Sequence, residues 1–333
     1  MCKEPLVSIL ILAWNSKEHL PICLARLLAQ SFQDFEIFIL NNGPQDAELE
    51  ELQGKYAKLD LIIKNLGSNL GFAAANNIGA RLARGQWIAL LNADAYPEPH
   101  WLENLIAAAE GNPQFNFFSS RQLQADTPEL LDGAGDTYHA SGLAWRRHYN
   151  HPASEYGLHA EEVFGACAAA ALYRREDFLA VGGFDETYFA YFEDVDLSFR
   201  LRLAGGRCLY VSDAVVHHVG SASTGKTSDF VYFHVHRNLV WTYFKNMPGA
   251  LFWLFLPSHM AVNLYVSMQV WVKEGRIIVF KAKLDALRAL PSVLKKRSQV
   301  QKLRKVSLRE LYRIMTKDLL APRRAARVQT QSK

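Results

Sequence analysis

Cysteine is scarce in this chain: four among 333 residues, Cys2, Cys23, Cys167 and Cys208, with no CxxC pair. That spacing argues against a zinc site or a disulfide framework and reads as free thiols in a reducing compartment. No small-residue cleavage site follows the first apolar run, Leu6 to Trp14, which is short and broken by Ser8. A buried strand is expected there, not an export signal. The run leads into Ala13-Trp14-Asn15-Ser16-Lys17 instead of GxGxxG, which excludes an ordinary dinucleotide-binding dehydrogenase. Internal repeats and low-complexity blocks are absent. Acidic residues thin out abruptly: 29 lie in the first 245 residues and 4 in the last 88, against 19 and 18 basic ones, giving −10 and +14. Such asymmetry points to an acidic soluble domain with a basic tail that faces an anionic surface, lipid or nucleic acid.

What is present is enough apolar material to bury a large core, 50% of residues, with 12% aromatic. Leu6 to Trp14, Phe35 to Leu40, Leu59 to Ile63 and Trp87 to Leu91 are short runs rich in Ile, Leu and Val, expected as strands buried on both faces. Helix-period segments alternate with them at Lys17 to Gln30, Asp46 to Tyr56 and Ala73 to Ala83. Strand and helix in alternation predict an α/β fold with a doubly wound, mostly parallel sheet, whose ligands sit beyond the carboxyl ends of the strands. Polar residues cluster at those ends: Asn15 and Ser16, Asn41 and Asn42, Asn65 to Gly71, then Asn92 and Asp94.

Farther along, Phe115 to Ser120 suggests a fifth strand, and the stretch to His159 a long functional loop. Periodicity returns from Val163 to Tyr173, followed by helices near Glu176 to Ala180 and Asp194 to Leu203 and a strand from Arg207 to His217. Ala250 to Val272 then carries no formal charge, and eleven basic residues run from Lys273 to Lys305. Two domains are expected, 1–245 and a basic helical region 246–333. The latter is either a core helix with a solvated basic helix or a membrane-contacting appendage on anionic lipid. Its apolar stretch favours lipid over nucleic acid.

Four motifs bear on chemistry. In Trp87-Ile-Ala-Leu-Leu-Asn-Ala-Asp94 an apolar strand runs into Asn-x-Asp, and a period of two would turn Asn92 and Asp94 to one side, as a hard cation on a diphosphate requires. A helix-cap or turn Asp is the plainer alternative. In Gly182 to Asp196 several carboxylates fall among aromatic rings, where partial desolvation raises basicity; Asp194 is the candidate base, or else a helix N-cap, and Asp196 is expected to pair with Arg200. His217-His218 ends a strand; a histidine there is either structural or, where directed toward the same strand edge as Asp94, a metal ligand. Gly220-Ser-Ala-Ser-Thr-Gly-Lys-Thr227 fits GxxxxGK[ST]. A nucleotide hydrolase needs further strands after this loop, one ending in a metal-binding Asp, whereas an aromatic helical pattern and the basic tail follow, so only contact of Lys226 with a diphosphate is retained.

Together these residues, over about 5 to 245, resemble inverting family 2 glycosyltransferases of the GT-A fold, in particular the bacterial rhamnosyltransferase-like branch. Val7-Ser-Ile9 with Asn15 is similar to the opening strand, and Asn69 to Asn77 to the glycine-and-asparagine segment near the nucleotide sugar. Asn92-Ala-Asp94 stands in the place of the DXD motif, and Phe192-Glu-Asp-Val-Asp196 matches the ED motif. Arg237-Asn238 resembles the RN pair of the following helix. The resemblance implies Asp194 as general base with Glu193 in support, and Asp94 and His217 as ligands of Mg²⁺ or Mn²⁺. It also implies Asn15, Asn41, Asn42, Asn69, Gly71, Asn92, Lys226 and Arg237 as substrate contacts. Asn41 departs from an Asp that reads the base in many relatives, which leaves uridine and thymidine open.

The implied activity is metal-dependent inverting transfer of a sugar, rhamnose among the candidates, from a dTDP- or UDP-sugar to a lipid-linked saccharide in cell-surface polysaccharide synthesis. Its expected location is the cytoplasmic face of the cell membrane. A non-catalytic, membrane-tethered sugar-nucleotide-binding subunit is the alternative.

Overall fold

The computed structural model describes residues 4–220 and 228–318; Lys226 lies outside them. Four strands, β1 (Val7–Ala13), β2 (Phe35–Asn41), β3 (Leu61–Asn65) and β4 (Trp87–Leu91), alternate with α1 (Leu20–Leu28), α2 (Ala47–Lys55) and α3 (Gly71–Leu82). The chain continues through β5 (Ala95–Pro97), α4 (Trp101–Gly111), β6 (Phe117–Gln124), β7 (Leu131–Ala134), β8 (Asp136–Tyr138), β9 (Ala144–Arg146), β10 (Glu161–Val163) and β11 (Ala170–Arg174). Then come α5 (Arg175–Ala180), α6 (Glu193–Leu203) and β12 (Cys208–His218). The C-terminal part is helical: α7 (Asp229–Asn246), α8 (Gly249–Glu274), α9 (Ile278–Arg288), α10 (Leu290–Lys302) and α11 (Leu308–Ile314).

Ten strands form one sheet, in the order β10-β12-β6-β11-β4-β1-β2-β3 with β5 on β12 and β7 on β6. β1, β2, β3 and β4 are mutually parallel, β11 is antiparallel between β4 and β6, and β12 is parallel to β6. The carboxyl ends of β1, β2, β3, β4, β6 and β12 therefore reach one edge, as expected for a mixed sheet wound on both faces. Ile9, Ile37, Ala89 and Leu172 pack against α1 and α4 on one face, while Leu10, Phe38, Leu90 and Ala171 meet α3, α5 and α6 on the other. This alternation explains the continuous apolar runs, because each strand is covered on both sides.

Two expectations change. The segment 121–159 is not one long loop but carries β7 and the β8–β9 hairpin; strands of three or four residues are too short to show a period in sequence. The strand into Asn-x-Asp stops at Leu91, and Asn92 to Ala95 is a turn closed by a bond from the Ala95 N–H to the Asn92 carbonyl (3.0 Å).

The C-terminal helices share apolar clusters with the preceding chain. Tyr138, Phe164 and Phe199 pack with Tyr243, Met247, Leu251, Phe252, Leu311 and Met315, and Tyr188 packs with Trp241, Ala286 and Val293. These contacts cross the boundary expected after residue 245.

Candidate active site

The polar residues at the carboxyl edge are held by one another. The Asn41 amide donates to the Asn65 side chain (2.8 Å) and the Pro44 carbonyl (3.0 Å), and that of Asn42 donates to Asn69 (2.9 Å). Asn42 and Asn69 also accept the N–H groups of Leu70 (2.8 Å) and Gly71 (2.9 Å), which fixes the entry to α3. Asn15 follows β1 with φ 48°. Gly71 has φ +83°, and a Cβ there would meet Phe189 Cδ2 at 2.6 Å and its carbonyl O at 2.7 Å. Only glycine lets the 185–192 segment come this close. Asn77 holds the same segment, donating to the Phe184 carbonyl (2.9 Å) and accepting its N–H (2.8 Å).

At the end of β4, Asp94 Oδ1 and Asn92 Nδ2 each lie 3.5 Å from Nε2 of His218, whose side chain is 2% exposed. His218 Nδ1 donates to Asp132 Oδ2 (2.7 Å), and Asp132 in turn receives Arg146. Burial alone would lower the His218 pKa; the hydrogen bonds and charges of Asp132 and Asp94 outweigh it and raise it. His217, expected beside Asp94, points elsewhere. Its Nε2 bonds Glu98 (3.2 Å), and it lines a separate cavity of about 460 Å³ with His19, Tyr96 and Asp126. Adjacent residues of a strand face opposite sides, so of the two histidines only His218 can turn toward Asp94.

The second carboxylate cluster adjoins the first across the turn before β11. There the Asn92 N–H bonds the Ala169 carbonyl (2.9 Å), and the Ala168 N–H bonds Asp194 Oδ2 (3.3 Å). Arg146 spans the two, its charge acting on Asp132, Asp136 and Asp194. Asp194 lies in the first turn of α6, not at its cap: the N-cap is Phe192, and Asp194 Oδ1 accepts the Val195 N–H (2.8 Å). Burial raises the Asp194 pKa against the opposing pull of those backbone donors and of Arg146. Buried Glu193 is raised well above the usual range by burial and by Asp194 beside it, and its Oε2 has no hydrogen-bond partner. Buried Asp136 is raised likewise, by burial first and then by Asp194.

The approach to α6 is strained: Phe189, Tyr191 and Phe192 all have φ of 66–67°. Such conformations cost about 1–3 kcal/mol each and persist only when the surroundings enforce them. Asn238 does so, its amide donating to the carbonyls of Tyr188 (3.1 Å), Ala190 (3.0 Å) and Tyr191 (2.7 Å). Arg237, expected on the substrate, instead donates to the Tyr188 carbonyl (3.2 Å) and lies 4.2 Å above the Trp241 ring. Buried Lys245 joins Asp185 (2.6 Å) and Asp196 (2.7 Å) beneath the segment, and Asp196 also pairs with Arg200 (2.9 Å) as its spacing predicts.

Among the described residues no group of three or more His, Cys, Asp and Glu side chains is arranged to hold a metal. Asp94 and His218 nonetheless fit a divalent cation that completes its shell with phosphate oxygens and water, because Asp132 fixes the imidazole with Nε2 toward Asp94. Asp132, Asp136 and Arg146 were not singled out from sequence; they sit in the segment expected as a loop, with no local motif around them.

An uncharacterized glycosyltransferase of Haemophilus influenzae is 30% identical over 118 residues, covering 35% of this chain and 36% of that protein. The N-acetylglucosaminyl-diphospho-decaprenol L-rhamnosyltransferase of Mycobacterium tuberculosis is 28% identical over 248 residues, covering 66% and 77%. Alignments to the first three curated relatives span between 25% and 38% of their lengths. The crystal structure of GalNAc-T7 with UDP, GalNAc and Mn²⁺ superimposes with a TM-score of 0.61 at 17% identity, over 78% of this chain and 52% of that one, a likeness of fold. Residues 8–182 match Glycosyl transferase family 2, and the chain belongs to that family.

Proposed function

We propose that the protein is a metal-dependent inverting glycosyltransferase. In this reading it moves a sugar, rhamnose among the candidates, from a dTDP- or UDP-sugar to a lipid-linked saccharide at the cytoplasmic face of a membrane. The observation that carries the reading is the meeting of Asp94 and His218 with Asp194 across the Cys167–Ala169 turn. The diphosphate would lie over Asp94, with the nucleotide along Asn15, Asn41, Asn42, Asn69 and Gly71. A divalent cation, Mg²⁺ or Mn²⁺, held by Asp94 and His218 would supply neutralisation of charge on the departing diphosphate.

Asp194, made more basic by burial, would take the proton of the acceptor hydroxyl as that oxygen attacks the anomeric carbon from the face opposite the diphosphate. A single displacement inverts the centre. Glu193 would support Asp194 from the preceding position. Family membership supports the reaction class, and the decaprenol-linked substrate in the name of the mycobacterial relative supports a lipid-linked acceptor. The Mn²⁺ complex of GalNAc-T7 supports the cation.

The test is Asp194→Asn, expected to lower transfer about 10²- to 10⁴-fold. A thermal-shift panel of dTDP-, UDP- and GDP-sugars with Mn²⁺ or Mg²⁺ should give the same stabilisation as wild type. Unchanged turnover would remove Asp194 from the base role.

A further inference from the structure

α8 is built inside out. It is 26 residues long, and it alone among the described helices is long and apolar enough to cross a membrane. Four of its polar residues, His259, Asn263, Ser267 and Glu274, however, face the protein, while Gln269 and Lys273 lie toward its outer side. His259 is 1% exposed, stacks on Tyr243 (centroids 4.0 Å apart) and donates from Nδ1 to the Ser141 carbonyl (2.7 Å). Asn263 Oδ1 accepts from Lys283 Nζ on α9 (2.5 Å), Ser267 is buried, and Glu274 accepts from the Tyr232 hydroxyl on α7 (2.6 Å). An adjacent stripe, Trp253, Met260, Leu264, Met268, Trp271 and Val272, faces outward at helical spacing, with Trp253 and Val272 each 72% exposed and Leu264 63%. A helix in water shows the reverse arrangement.

The anchored row spans residues 259 to 274, about 22 Å of helix at 1.5 Å per residue. A helix tied to α7, α9 and the Ser141 turn over that length cannot thread a bilayer without breaking the ties. Threading would also leave His259 and Asn263 in hydrocarbon, where polar groups are costly. The surroundings supply charge complementarity for anionic headgroups: Lys273, Lys281, Arg288 and Lys295 are exposed, and the last 88 residues carry +14. The Ser141 carbonyl that receives His259 lies in the turn of the β8–β9 hairpin, which also holds Asp136 and Arg146 of the site.

We propose that α8 is an in-plane anchor whose outward row enters the interface of an anionic bilayer with the helix axis parallel to the surface, bringing the β8–β9 wall of the active site next to the lipid. The proposal rests on the membrane-associated reading above and gives it a geometry, monotopic instead of single-pass. An acceptor carried on a lipid would then reach Asp194 from the hairpin side.

The full chain should float with vesicles of phosphatidylcholine and phosphatidylglycerol (7:3), much less with phosphatidylcholine alone, and less as salt rises. Trp253→Ser with Leu264→Ser should cut flotation at least tenfold while leaving thermal stabilisation by a UDP- or dTDP-sugar unchanged. Depth comes from nitroxides placed singly by Trp253→Cys, Leu264→Cys and Val272→Cys in a Cys2→Ser background; Cys23, Cys167 and Cys208 are buried. All three labels should sit at one shallow depth, about 5–10 Å into the boundary region. A label at 264 near the bilayer centre with those at 253 and 272 near its surfaces would overturn the proposal in favour of a span. Absence of vesicle binding together with a dimer in sedimentation that the double substitution dissolves would assign the face to a second copy. Neither measurement depends on sugar transfer, so loss of the enzymatic reading would leave the result standing.

Discussion

Asp132 Oδ2 accepts the Nδ1–H of His218 at 2.7 Å, and this bond aims Nε2 at Asp94. A carboxylate behind an imidazole fixes its tautomer and ring orientation for a metal in front of it. Asp132→Asn should therefore weaken Mn²⁺ binding about 10- to 100-fold, titrated calorimetrically with UDP present. Equal affinity would separate Asp132 from the cation.

The two neighbouring histidines should behave oppositely. His218→Ala removes the imidazole that faces Asp94, whereas His217→Ala removes one bound to Glu98 in a separate cavity. Only the first is expected to abolish Mn²⁺-dependent thermal stabilisation in the presence of UDP. The same loss in His217→Ala would count against the assignment.

The acid limb of the transfer rate should reflect Asp194. The base acts deprotonated and burial raises its pKa, so the rate should rise with pH through a midpoint above the ordinary Asp value of about 3.9. The folded state also holds this proton more tightly than the unfolded chain does. The stability cost is therefore complete above the folded pKa and relieved as pH falls through it. Asp194→Asn should melt higher than wild type at pH 7.5, and the gap should close as pH falls toward 4.

Asn238 holds three carbonyls of the strained turn before Glu193. Asn238→Ala should cost about 1–3 kcal/mol in urea unfolding. It should also lower kcat with little change in the donor KM, since the bonds it removes position Asp194 and not the nucleotide. An unaltered kcat would show that the turn keeps its shape without the clamp.

Lys245 sits between Asp185 and Asp196, and Lys245→Met would leave buried Asp196 and largely covered Asp185 facing each other with Arg200 and Lys296 as their remaining cations. The expected cost is about 3–5 kcal/mol by chemical denaturation. Burial tends to raise the Asp185 pKa, but Lys245 and Lys296 overcome it and hold the carboxyl well below its usual range. That contribution is present above the unfolded value of about 3.9 and is lost as pH falls through the lower folded one. Wild type should therefore lose more stability than Lys245→Met between pH 5 and pH 2.

Much of the fold was legible because β1, β2 and β4 are buried on both faces and so consist of unbroken apolar residues that stand out from the helices between them. Asp94 and Asp194 were legible for a related reason: each follows directly on a recognisable local pattern, an apolar strand or an aromatic run. Arg237 and Asn238 were visible as a pair, but their bonds to the 187–191 backbone were not. Asp132, Asp136 and Arg146 left no trace, because strands of three or four residues carry no period and their partners lie in other elements.

The amino-acid order by itself determined the parallel sheet, the edge at which polar residues gather, the acidic and basic division of the chain and its family resemblance, since all of these follow from local periodicity and composition. Only the tertiary structure decided which histidine meets Asp94, because a shift of one residue along a strand reverses the face. It also decided which side of α8 is outermost, because helical spacing shows that two faces differ but not which of them the rest of the protein covers.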